Sequence, residues 1–161
     1  MITEAMKTLT MTSNDWIYDG EVYLAEDIDD YYGFVYLITD LTNDKKYIGK
    51  KFFWSTKKLP PLKGRKNKRI QKKESDWRMY YGSSDEVKNL VEEFGPSRFK
   101  REILKKCKSR GELSYVEAKL QFDNNVLFRD DYYNEFIGVK IHSKHVKGLK
   151  EDYVSSGDED S

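Results

Sequence analysis

Three side chains stand out for the chemistry their types and settings allow. Tyr36 falls inside the β-rich run Phe34-Val35-Tyr36-Leu37-Ile38-Thr39, and Tyr47, eleven positions later, opens the run Lys46-Tyr47-Ile48-Gly49. Between them Thr42-Asn43-Asp44 supplies turn residues, so the two phenols are expected on the paired strands of a hairpin. The third is Glu117. After Ser109-Arg110-Gly111-Glu112, which reads as a capping box, Leu113, Val116 and Leu120 recur at helical spacing, and Glu117 falls within that apolar stripe. A carboxylate there is costly unless it is paired or holds a cation. The chain also carries a field for an anion: the stretch from Lys45 to Arg78 has a net charge of +12, while Met1 to Phe34 has −7, against +1 for the whole.

The elements that must position these groups follow from periodicity. Ser83-Ser84-Asp85-Glu86 resembles a capping box, and Val87, Leu90, Val91 and Phe94 continue it as a helix that Gly95 stops. Phe99 to Leu104 alternates apolar and charged residues as a strand does, and the helix bearing Glu117 is expected to reach about Asn124. Lys57 to Lys73, with Pro60-Pro61 and Gly64 among its Lys and Arg, reads as a solvent-facing loop or extended hairpin that contacts nucleic acid. Phe136 to Ile141 has the composition of a short strand.

Tyr36 with Tyr47-Ile48-Gly49 resembles the signature of the GIY-YIG nuclease superfamily. Aligning on Tyr36 places Phe34 where the family has Gly, with Gly33 one residue earlier. The order strand, turn, strand, helix, strand, helix is also similar, and Tyr81-Gly82-Ser83-Ser84 with Phe99 to Leu104 resembles the phage-borne branch that includes homing endonucleases. The resemblance implies an α+β fold: a small mixed or antiparallel three-stranded sheet flanked by helices, with the basic loop as an insertion. It also implies a metal-dependent DNA endonuclease, working in the host cytoplasm if phage-encoded, in which Glu117 binds Mg²⁺ or Mn²⁺ and Tyr36 or Tyr47 orients or deprotonates the attacking water. An unperturbed tyrosine near pKa ~10 is a poor base at neutral pH, so a cation must lower it. The family's basic residue after Tyr-Ile-Gly has no direct counterpart. Lys50 and Arg78 are the candidates, Arg78 slightly favoured because it fits a short helix. Asn134, in Tyr132-Tyr133-Asn134, resembles the asparagine that closes the family's core, as a supporting or phosphate-side residue. Lys50, Lys51, Lys63, Arg65 and Arg69 are expected to meet the DNA backbone.

Other readings compete. Tyr36 and Tyr47 also suit plain strand aromatics, and Glu117 a partner such as Lys119 or Lys100. The missing arginine favours a degenerate module that holds DNA or RNA without cutting; an unrelated RNA-binding or assembly protein would leave Glu117 unexplained. His142 and His145 lack further ligands for a metal, and Cys107 has no second cysteine to pair with.

The 161 residues suit one domain. Residues 1–31 are expected as a peripheral acidic segment, 32–148 as the nuclease-like domain and 149–161 as an acidic disordered tail. No apolar run has the length of a membrane span and the N-terminus lacks a secretory pattern, so a cytoplasmic location is expected, with DNA as partner and either modest specificity or a protein partner that supplies it.

Overall fold

The computed structural model describes residues 15–154. Its centre is the expected hairpin: β3 (Gly33–Asp40) pairs antiparallel with β4 (Lys46–Phe52) in a register that sets Tyr36 opposite Gly49 and Ile38 opposite Tyr47. At the turn, the Thr42 N–H and hydroxyl both donate to the Asp40 carboxylate, and Asp44 takes a φ of +59°.

The expected third strand, β7 (Phe99–Cys107), lies antiparallel along the other side of β3, with a slip in register between Val35 and Tyr36. The sheet is wider than three strands. β1 (Ile17–Tyr18) pairs in parallel with β7 and antiparallel with β2 (Glu21–Val22), giving the order β2-β1-β7-β3-β4 with β4 at one edge. The basic stretch is the extended hairpin rather than a loop: β5 (Trp54–Leu59) and β6 (Arg69–Glu74) form a separate two-stranded sheet.

Strand alternation divides the core in two. Phe34, Tyr36 and Ile38 face an aromatic cluster with Trp16, Tyr23, Phe53, Trp77 and Phe99, closed by Val87 of α1 (Asp85–Phe94). Val35, Ile48 and Cys107 face Leu113 and Val116 of α2 (Arg110–Asp123). Both helices begin as the sequence indicates: Ser84 accepts from the Val87 N–H, and Ser109 from the Glu112 N–H.

Three expectations are corrected. Residue 31 is not a boundary: Trp16, Tyr23 and Ile28 are buried in the core, since aromatic burial outweighs the acidic residues around them. Residues 136–141 form no strand; Phe136 is 79% exposed and no neighbouring strand pairs with the segment. At the C-terminal end Leu149 is buried and a short helix, α3 (Lys150–Tyr153), packs Tyr153 against Tyr115. The expected disorder of 155–161, and the acidic residues before 15, lie outside the described residues.

Candidate active site

β4 is an edge strand, and its outward-facing peptide groups need partners. From Lys46 to Ile48 the segment 131–134 supplies them: the Lys46 N–H donates to the Asp131 carbonyl, and the Tyr133 N–H to the Lys46 carbonyl. The buried Asn134 then accepts from the Ile48 N–H (3.0 Å) and donates to the Ile48 carbonyl (2.8 Å), which also receives Gln121 Nε2 (2.9 Å). Of the two roles expected for Asn134, supporting or phosphate-side, its amide takes the supporting one here, holding the sheet edge.

The next outward-facing N–H is that of Lys50. Here the Glu117 carboxylate takes over, arriving from α2 with its side chain 15% exposed. Burial raises its pKa, while the Lys50 ammonium (3.8 Å) and the Lys50 N–H favour the charged form. Lys50 Nζ also donates to Ser114 Oγ (2.9 Å), one helical turn before Glu117. The lysine that pairs with Glu117 is thus Lys50; Lys119 and Lys100, the examples named for the plain ion-pair reading, pair with Asp123 and Glu102.

On the opposite face of the sheet Tyr36 reaches toward the same edge. Its ring lies across Gly49, where a Cβ would run into the Tyr36 hydroxyl, so the glycine of Tyr-Ile-Gly is the space the tyrosine occupies. Tyr47 stacks beside it, with ring centroids 6.2 Å apart. Tyr36 is fully buried, and its hydroxyl is the one buried side-chain polar atom among the described residues that makes no well-formed hydrogen bond, although the Tyr80 phenol approaches it closely enough to raise its pKa further. Burial first, then the phenols of Tyr80 and Tyr47, drive its pKa well up, and the Glu117 charge adds to this. Tyr47 is pushed up to about 12 by burial, Tyr80 and Glu117, with the Ser83 hydroxyl acting the other way. The Glu117 charge is therefore felt by both phenols across the β4 edge.

Tyr80 is a member the sequence reading missed. Its ring stands edge-on to Tyr36 at 5.9 Å and its hydroxyl meets Ser83 Oγ at 2.5 Å. It follows a 3₁₀ turn, Trp77–Met79, held from two sides: Trp16 Nε1 of the N-terminal segment donates to the Trp77 carbonyl (2.7 Å), and the buried Arg101 of β7 donates to the carbonyls of Arg78 and Tyr80. Nothing local in the sequence marks Tyr80; only this long-range anchoring brings it in.

Of the two candidate cations, Lys50 is the one at Glu117. Arg78 does occupy a short helical turn, but its side chain is 61% exposed and its nearest carboxylate is Glu74, at 3.9 Å. Lys51 pairs with Asp76 (2.6 Å) and lies over the Tyr80 ring at 4.2 Å, so it also braces the turn. Lys50 and Lys51, with Lys73, Arg110, Glu74 and Asp76, line a cleft of about 770 Å³ between the base of the β5–β6 hairpin and α2. Lys63, Arg65 and Arg69 stand exposed on that hairpin, and none of them lines the cleft.

The remaining candidates fall outside the site. His142 and His145 cap a 3₁₀ turn through their Nδ1 atoms, and His145 packs on Gly111 at the start of α2. Cys107 is buried and its thiol pushed up to about 12, unlike a reactive cysteine.

No helix among the described residues is long and apolar enough to cross a membrane. The chain matches no curated protein and no solved structure. A family model described as "Putative endonuclease segE, GIY-YIG domain" matches residues 16–137, from the first core tryptophan through the edge-holding asparagine. The chain belongs to this GIY-YIG endonuclease family.

Proposed function

We propose that the protein is a metal-dependent DNA endonuclease whose active site is the cluster of Tyr36, Tyr47, Tyr80, Lys50 and Glu117. The observation that carries this reading is the Tyr36 hydroxyl. It is buried, makes no well-formed hydrogen bond and feels the Glu117 charge, and buried polar groups are rarely left so unless something else completes them.

Glu117 fits Mg²⁺ or Mn²⁺ by the chemistry of its donors. A hard oxygen ligand is held where burial makes an uncompensated charge costly, and Lys50 offsets it only at 3.8 Å. Among the described residues no three His, Cys, Asp or Glu side chains gather as a ligand set, so Glu117 would be the protein's share and water and phosphate oxygens the rest, a usual arrangement for Mg²⁺. Such an ion, when bound, supplies a Lewis acid to the phosphate and its leaving oxygen.

The chain's own groups divide the remaining work. Lys50 neutralises the phosphate beside Glu117. With a pKa of about 12, Tyr47 would be phenolate in only about one molecule in 10⁵ at pH 7, and burial drives Tyr36 in the same direction. Both tyrosines are therefore phenols in the unloaded protein, and their role is to donate to and orient a water or phosphate oxygen once substrate enters. Either becomes a base only when cations load the site. The cleft with Lys50, Lys51, Lys73 and Arg110 takes the flanking backbone.

The test compares wild type and Glu117→Ala on supercoiled DNA, with Mg²⁺ or EDTA, alongside binding in EDTA. Cleavage should require the metal and fall by about two orders of magnitude or more in the variant, with binding retained. Binding by a wild type that cuts no substrate would instead establish the degenerate module.

A further inference from the structure

The β5–β6 ribbon has no counterpart in the core. Every residue of β6 and four of the six in β5 are exposed, yet a lone two-stranded hairpin is at best marginally stable in water. It is anchored only at its foot, where Trp54 Nε1 donates to the Tyr31 carbonyl (3.2 Å), Ser75 Oγ to the Phe52 carbonyl (2.6 Å) and Trp77 Nε1 to Glu74 (2.8 Å). From Trp54 to Glu74 the chain carries nine Lys and Arg and one acid, the Glu74 so occupied.

Opposite residues of an antiparallel pair share a face. The register puts Ser55, Lys57 and Leu59 with Lys73, Gln71 and Arg69 on one face, and Thr56 and Lys58 with Lys72 and Ile70 on the other. The only amide and the only guanidinium of the paired section therefore lie together. Arg69 Nε donates to the Pro60 carbonyl (3.2 Å), which fixes the direction of its guanidinium.

We infer that this ribbon reads duplex DNA: it enters the major groove with Gln71 and Arg69 toward the base edges and its lysines on the flanking phosphates. A two-stranded ribbon fits the major groove of B-form DNA, where Gln pairs with adenine and Arg with guanine. Single strands are held on aromatic platforms, and the ribbon's one aromatic, Trp54, sits at the foot beneath the Lys72 ammonium (4.4 Å). The major groove of A-form RNA is too narrow and deep for it. Ser55 and Lys73, at the ribbon's foot, line the cleft that also holds Lys50, so a duplex seated on the ribbon runs its backbone toward Glu117. Substrate class and sequence preference would then reside in this chain rather than in a partner. The inference rests on the endonuclease reading.

The experiment measures binding in EDTA to a duplex of roughly two helical turns, its single strand and the matching RNA duplex, at about 50 and 200 mM salt. It uses the wild type, a ribbon shortened by replacing residues 57–71 with an Asn-Gly turn between Thr56 and Lys72, and the point variants Gln71→Ala and Lys57→Ala, the last two also against a randomised duplex pool. Wild type should prefer duplex DNA at least about tenfold, and the shortened ribbon, melting as wild type, should lose that preference. Gln71→Ala should flatten the selected sequence at one position; Lys57→Ala should weaken all sequences alike and make the salt slope shallower by about 1. Equal binding of single strand or RNA by wild type, undiminished duplex binding by the shortened ribbon, or an unchanged selected sequence for Gln71→Ala would overturn the inference. Should the shortened chain fail to fold, the two point variants decide. If wild type binds and cuts DNA while these results fail, the ribbon reading alone is lost; if wild type neither binds nor cuts, the endonuclease reading is lost with it.

Discussion

Tyr36→Phe removes one atom and tests the site's central feature. The hydroxyl is buried without a well-formed hydrogen bond, so its loss removes a desolvation penalty of about 1–3 kcal/mol. The void left by one oxygen, roughly 15 Å³, costs only ~0.4 kcal/mol at ~24 cal/mol per Å³. The ring keeps its contacts with Trp16, Phe34, Tyr47 and Tyr80. The variant should therefore be more stable by about 1 kcal/mol and melt roughly 2–4 °C higher, while Mg²⁺-dependent cleavage of supercoiled DNA falls about 100-fold. Calorimetry and a timed nicking assay on one preparation measure both. A lower melting temperature would mean that the hydroxyl has a partner in the free protein; wild-type cleavage would mean that it does nothing for substrate. Either result refutes the argument.

Other perturbations separate support from chemistry. Asn134→Ala strips the Ile48 N–H of its partner while Gln121 still serves the carbonyl, so stability should fall by about 2 kcal/mol and the melting temperature by roughly 4–8 °C; weakened DNA binding at unchanged melting would return Asn134 to the phosphate side. Gly49→Ala drives a methyl into Tyr36 and should cost about 1–3 kcal/mol with loss of cleavage, whereas a normally stable, active variant would place the tyrosine elsewhere. For Asp40, burial alone would raise the pKa, but hydrogen bonds from Arg98, Thr42 and Tyr133 outweigh it and hold the carboxyl far below its ordinary range. Its contribution is complete above the unfolded value near ~4 and lost as pH falls below it; Asp40→Asn should melt lower than wild type at pH 7 and lose less on acidification, as parallel melts would read.

Local signals carried much of this protein. Capping serines, apolar spacing and a terminal glycine define α1 and α2, because such interactions act within one or two turns and are written in adjacent residues. The hairpin follows from two β-rich runs around turn residues, and Glu117 declared itself as a charge in an apolar stripe. What required the tertiary structure was the pairing of distant segments. Trp16 sits among acidic residues, yet it is buried and holds the Tyr80 turn 61 positions later; Asn134 reads as a turn residue until it meets an open strand edge 86 positions earlier. That Lys50 rather than Arg78 lies beside Glu117 depended on which strand lies at the sheet's edge and where its backbone pairing stops. A sequence lists which residues could hold an anion or a metal. Strand order, edge exposure and burial, which arise only when the whole chain packs, decide which of them meet.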